Sequence, residues 1–180
     1  MNKTNTKHLI YIIIVIIISP VLIFACSCGK KEPEAQPAPS DIIKKINEKF
    51  PGNTETTQLT QSEMNELYSE NSKKAKNSGG KKAKDIDLSK IEKYSIAASK
   101  INATEIAVFK LYDKTNAEYV KQMAAARILS LQKSGISQPP EISRVFNDAE
   151  VRSYGNYVYY AAHPQKDKIF EIIEDMLKGA

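Results

Sequence analysis

The chain has 180 residues, of which 26 are Lys or Arg and 21 are Asp or Glu, giving a formal net charge of +5. Its two cysteines, Cys26 and Cys28, both lie near the N-terminus, so the rest of the chain can hold neither a disulfide nor a thiolate metal site. Residues 26–180 carry 24 basic and 21 acidic side chains over 155 residues. That balance of +3 is too mild for a nucleic-acid partner.

Residues 1–25 divide as an export signal. Lys3, Lys7 and His8 make a positive start without an acidic residue, residues 9–18 (LIYIIIVIII) are unbroken apolar, and Ser19-Pro20 interrupts the run before Cys26. A charged start stays cytoplasmic while the apolar run enters the bilayer. Residues 9–25 sit at the lower edge of the roughly 17–25 needed to cross the hydrocarbon core, and Pro20 would kink or end a helix there. Length alone leaves an uncleaved anchor open, so the cleavage site decides.

Ile23-Phe24-Ala25-Cys26 resembles the lipobox of bacterial prolipoproteins: a branched aliphatic at −3, a small residue at −1, then a cysteine whose thiol receives the diacylglyceryl group. Phe24 is bulkier than the usual −2 residue. A second frame, Ala25-Cys26-Ser27-Cys28, would modify Cys28, but Ile23 is the better −3 residue and favours Cys26. A disulfide across one intervening residue would be strained, and C-x-C is not the C-x-x-C of redox or zinc motifs. Residues 29–40 (GKKEPEAQPAPS) read as an extended tether. Two acyl chains on one cysteine suffice for stable anchoring. The expectation is a lipoprotein on the extracytoplasmic face of the cell membrane, matured by lipoprotein-processing enzymes. The Lys-, Asn- and Ile-rich composition points to a low-GC Gram-positive source. Residues 26–40 form the lipidated cysteine and tether, and 41–180 a single domain.

Within that domain, Ser40 is the expected N-cap of a helix over 41–50, with Ile42, Ile43, Ile46 and Phe50 in one stripe. Thr60-Gln61-Ser62-Glu63 is a capping box opening a short helix that buries Met64, Leu67 and Tyr68. Residues 72–85 follow, with six lysines (Lys73, Lys74, Lys76, Lys81, Lys82 and Lys84) around Gly79-Gly80 and no apolar face. They read as an exposed loop, with contact to anionic headgroups or wall polymers as the functional reading and a solvated insertion as the plain one. A helical turn at 87–91 precedes strands at 94–100 and 104–112. The second (TEIAVFKLY) is apolar on both faces, as an interior strand is. Thr115-Asn116-Ala117-Glu118 is read as a capping box for the longest helix, to about Lys133, with Val120, Met123, Ala124, Ile128 and Leu131 inward and Gly135 as its stop. Pro139-Pro140 introduces a turn or short helix through Phe146. A hairpin at 149–153 and 156–162 turns at Tyr154-Gly155. Pro164 opens the last helix, burying Ile169, Ile173, Met176 and Leu177. The order ααββαββα implies an α+β domain with a small antiparallel sheet covered by helices.

Residues 86–94 leading into a strand, the stretch TEIAVFKLYD before a helix, and VRSYGNYVYY at 151–160 together resemble the lipoprotein family known as domain of unknown function 4358, common in clostridia and relatives. The resemblance runs over about 41–177, and the segment at 73–84 is longer and more basic here than the family's usual pattern. It implies extracytoplasmic lipoprotein status and a small α+β domain, and it supplies no catalytic or binding residue to carry over.

Side chains in chemically suggestive patterns are few. His163, the one histidine after the leader, has no companion metal ligands or nucleophile and reads as an incidental surface residue. Tyr157 and Tyr159 share one strand face and Val158 and Tyr160 the other. Exposed, the first pair would form an interaction surface; the competing reading places them over the core. Glu171, Glu174 and Asp175 read as helix-surface charge partners of Lys168 and Lys178. No phosphate loop, nucleophile elbow or zinc-protease motif is present, and no cofactor or metal is expected. A non-catalytic envelope module binding a protein, peptide or wall polymer is favoured over an enzyme whose site lacks a linear signature.

Overall fold

Apolar residues at three- and four-residue spacing set the helices, and β-branched and aromatic runs set the strands. In the computed structural model, which describes residues 36–56, 58–68, 86–99 and 103–179, the order is α1 (Pro39–Lys49), β1 (Thr54–Thr56), α2 (Gln61–Tyr68), β2 (Ile91–Ser99), β3 (Thr104–Leu111), α3 (Ala117–Gly135), α4 (Pro140–Asn147), β4 (Glu150–Tyr154), β5 (Tyr157–Ala162) and α5 (Lys166–Lys178). One five-stranded sheet runs β1-β2-β3-β5-β4, every pair antiparallel. The expected α+β class with a small helix-covered antiparallel sheet is what forms.

Each face of the sheet has its own helical layer. On one face, Ala107, Phe109, Leu111, Val158 and Tyr160 pack with Met64 and Tyr68 of α2 and with Val120, Met123, Ala124 and Ile128 of α3. On the other, Ala97, Ile106, Val108, Tyr157, Tyr159 and Ala161 pack with Ile42, Ile43 and Ile46 of α1 and with Ile169, Phe170, Ile173 and Leu177 of α5. At about 1.5–3 kcal/mol for each large apolar side chain removed from water, both layers are needed to close the fold. β3 and β5 are central because their residues are buried on both sides, as parallel-sheet-like apolar runs are.

Several local expectations hold. The Thr60 box forms as written: the Thr60 N–H donates to Glu63 Oε2 at 2.7 Å, and the Glu63 N–H to Thr60 Oγ1 at 3.3 Å. The five inward residues of α3 are all buried, and the hairpin turns on Gly155 at φ +57°.

Others are corrected. Ser40 lies inside α1 and not at its cap. The helix starts at Pro39, with Ala38 as the capping position and no side-chain cap, because proline's missing donor and fixed φ suit the first turn. Thr115 sits in a one-turn 3-10 helix, Lys114–Asn116, whose Thr115 N–H is taken by Asp113 Oδ1 at 2.8 Å. That local Asx bond displaces the expected box. Gly135 ends α3, but what its missing Cβ provides is room. A Cβ there would lie 2.9 Å from Phe146 Cδ2, so the glycine lets α4 close on α3. The last helix begins at Lys166, two residues after Pro164. The short edge strand β1 has no counterpart among the expected elements.

Candidate functional site

Glu105 and Arg127 stand out because each interrupts an apolar stripe. Glu105 shares its face of β3 with Ala107, Phe109 and Leu111. Arg127 sits on the buried side of α3, four residues from both Met123 and Leu131. The layer packing brings the two intruders together. Arg127 Nε donates to Glu105 Oε1 at 2.8 Å and Nη2 to Oε2 at 2.5 Å, a side-on bidentate pair. The Tyr160 hydroxyl donates to Glu105 Oε1 at 2.5 Å, and its own oxygen lies 3.0 Å from the Tyr68 hydroxyl. Tyr160 has one proton, which goes to the carboxylate, so Tyr68 donates to Tyr160. The chain of bonds is Tyr68 to Tyr160 to Glu105, closed by Arg127.

Glu105 is only 7% exposed and the Arg127 side chain 17%. Burial raises both phenols well above the ordinary tyrosine range, and the Glu105 charge pushes them further. For Arg127 burial acts downward, but the bonds and charge of Glu105 outweigh it and hold the guanidinium more firmly protonated than usual. A buried ion pair of this kind is poor value as a stabiliser, since an apolar pair of the same volume does as well or better. Perturbed, buried charges gather at functional sites.

The pair forms the floor of an open cleft of about 390 Å³. Ala98, Ala103, Leu131, Ile142 and Phe146 give it apolar walls, and Thr104, Ser134 and Gln138 add polar groups. That is the composition of a small-ligand pocket, with apolar walls and few fixed polar groups, at the lower end of the usual 300–1,000 Å³.

The residues singled out from sequence fall elsewhere. Tyr157 and Tyr159 are 2% and 1% exposed, so they offer no surface. α1 and α5 cover their face, leaving the Tyr157 hydroxyl to donate to the Pro37 carbonyl at 2.7 Å and Tyr159 to Glu174 Oε1 at 3.3 Å. His163 is half-buried, its ring 5.4 Å from that of Phe50, and Nδ1 accepts the Gln165 N–H at 2.9 Å. Burial holds its pKa below the ordinary value. Glu174 pairs with Lys178 at 3.2 Å, as expected, and also with Arg152 of β4 at 3.4 Å. Ile23, Phe24, Ala25, Cys26, Cys28 and the six lysines at 73–84 lie outside the described residues. Among the described residues, no three His, Cys, Asp or Glu side chains are placed to hold a metal ion, and no helix is long and apolar enough to cross a membrane.

The fold and cleft define a small α+β module with a charged pair at the floor of a pocket. The family model described as Domain of unknown function (DUF4358) matches residues 65–163, more than half of the chain, and the protein belongs to that family. Tyr68, Glu105, Arg127 and Tyr160 all lie within the match. No curated protein and no solved structure matches the chain.

Proposed function

We propose that this protein is a lipid-anchored extracytoplasmic module of a Gram-positive, clostridial-type cell envelope, and that it binds a ligand in the Glu105–Arg127 cleft without catalysing a reaction on it. The observation that carries the binding role is the pair itself, two opposite charges placed on otherwise apolar stripes and opening on a pocket. A role in stability alone is better served by apolar residues. The bonds also favour holding over chemistry. Glu105 already accepts three hydrogen bonds from Arg127 and Tyr160, which suits a fixed recognition floor and ill suits a proton carrier. His163 makes its contacts with Phe50 and Gln165 and is not joined to that carboxylate.

The address rests on the Ile23-Phe24-Ala25-Cys26 sequence and the Pro-rich stretch after it. In cells fed an alkyne palmitate, we expect the chain to label and Cys26→Ala to lose the label. Label that survives Cys26→Ala and disappears in Cys28→Ala would move the anchor by two residues, and label lost in neither would refute it. For the cleft, a photo-reactive residue at Gln138 in intact cells is expected to give a defined adduct that the same group at Lys121 does not. Identical results from the two positions would refute the binding role.

A further inference from the structure

The donors and acceptors of the cleft restrict what it can hold, given the binding role proposed above. Among the described residues, every one that lines the cleft other than Glu105 and Arg127 is uncharged, so the charges those two bring to the floor cancel. A ligand carboxylate set against Arg127 also meets Glu105, and a ligand ammonium set against Glu105 also meets Arg127. Either ion would give up its water for little net attraction. An uncharged ligand escapes that cost.

The hydrogen-bonding groups narrow the class further. Arg127 has five N–H donors and gives two of its nitrogens, Nε and Nη2, to Glu105, so it retains donors for an acceptor in the cleft. The Ser134 hydroxyl is the reverse case. Ser134 Oγ donates its single proton to the Leu131 carbonyl at 2.7 Å. What it presents to the cleft is lone pairs. A ligand that fits needs an acceptor for Arg127, a donor for a hydroxyl oxygen, no charge, and an apolar part for Leu131, Ile142 and Phe146.

We propose that the cleft binds a small uncharged amide bearing an apolar group. The amide carbonyl accepts from Arg127, its N–H donates to Ser134, and the apolar group lies on the Leu131–Ile142–Phe146 wall.

The test uses the full chain in phospholipid nanodiscs with 13C-labelled Ile, Leu and Ala methyl groups, titrated with acetanilide, phenylacetate and phenethylammonium. Acetanilide is expected to shift the Leu131, Ile142 and Ala103 methyls saturably and to bind about tenfold or more tightly than either ion. Glu105→Gln with Arg127→Gln, and separately Ile142→Glu at the half-exposed rim, are each expected to weaken it about tenfold or more, while the Ile43 and Ile46 methyls on the opposite face confirm the fold. An ion that matches or exceeds acetanilide at those methyls overturns the ligand class and leaves the cleft as a binding site. Absence of a saturable shift with all three probes overturns the amide proposal. The Gln138 adduct in cells judges the binding role independently. Acetanilide binding unchanged in both variants assigns the shifts to another surface and overturns the proposal as well.

Discussion

Removing one member of the Glu105–Arg127 pair should cost far more than removing both. In Arg127→Met, Glu105, 7% exposed, loses its counter-charge and two of its three hydrogen bonds and retains only Tyr160. Stranding a buried charge in this way costs about 3–5 kcal/mol. Glu105→Leu strands Arg127 at a comparable cost. In Glu105→Leu/Arg127→Met no charge is left behind, and the chief loss is the acceptor for the Tyr160 hydroxyl, about 1–3 kcal/mol for a buried polar group left unmatched. Urea unfolding of the four proteins followed by circular dichroism closes a double-mutant cycle. Each single variant should fall by an amount that lowers Tm by roughly 10–15 °C, at about 3 °C per kcal/mol for a domain of this size. The double variant should be more stable than either. Additive losses, with the double variant near the sum of the singles, would refute the claim that these two side chains act as one buried unit. A changed denaturant slope in one variant would instead report an altered unfolded or native compactness.

Two further predictions concern packing and pH. Gly135→Ala should destabilise by about 1 kcal/mol although alanine is the better helix former by a similar amount, because the new methyl meets Phe146 at 2.9 Å and overpacking costs about 1–3 kcal/mol; a stabilised variant in thermal melts would show that α4 yields freely. Stability should also fall above pH 10. Burial raises Tyr68, Tyr159 and Tyr160, and raises Tyr157 to about 12 with help from the Glu92 charge. The unfolded chain therefore releases these protons first, and the folded state binds more of them across the interval. The stabilisation is complete below pH 10 and is lost as pH rises through the folded values. Urea midpoints flat from pH 8 to 9.5 and declining by pH 11, less steeply in Tyr157→Phe, are the expected pattern. A midpoint that holds at pH 11 would contradict it.

Most of the architecture was legible because it is written in local periodicity. β3 carries apolar residues on both faces from Ile106 to Phe109 and reads as interior in isolation. The α3 stripe and the Thr60 box are equally local. β1 was illegible for the opposite reason: Thr54–Thr56 is three polar residues whose strand identity comes from pairing with Ala98, Ala97 and Ile96. Strand alternation correctly put Tyr157 and Tyr159 on one face, yet nothing local says that α1 and α5, far apart in the chain, both cover it. The site was half-visible. Glu105 breaks an apolar strand and Arg127 an apolar helix stripe, and each could have been marked as an intruder. Their partnership is a long-range fact of layer packing, and so is the arrival of Tyr68 and Tyr160.

The two-layer covering of the sheet also bears on where this domain can be cut. The family match begins at residue 65 and ends at 163, after the opening of α2 and before α5. A fragment trimmed to those limits loses α1, β1, the Thr60 cap and α5 together. It would expose Ile106, Val108, Tyr157, Tyr159 and Ala161 as one continuous adhesive sheet surface, and leave β2 as a raw edge. Solubility should return only when the boundaries are widened to take in Pro37, whose carbonyl receives the Tyr157 hydroxyl, and Lys178 at the end of α5. The segment recognisable by sequence kinship is thus smaller than the unit whose sheet is covered on both faces.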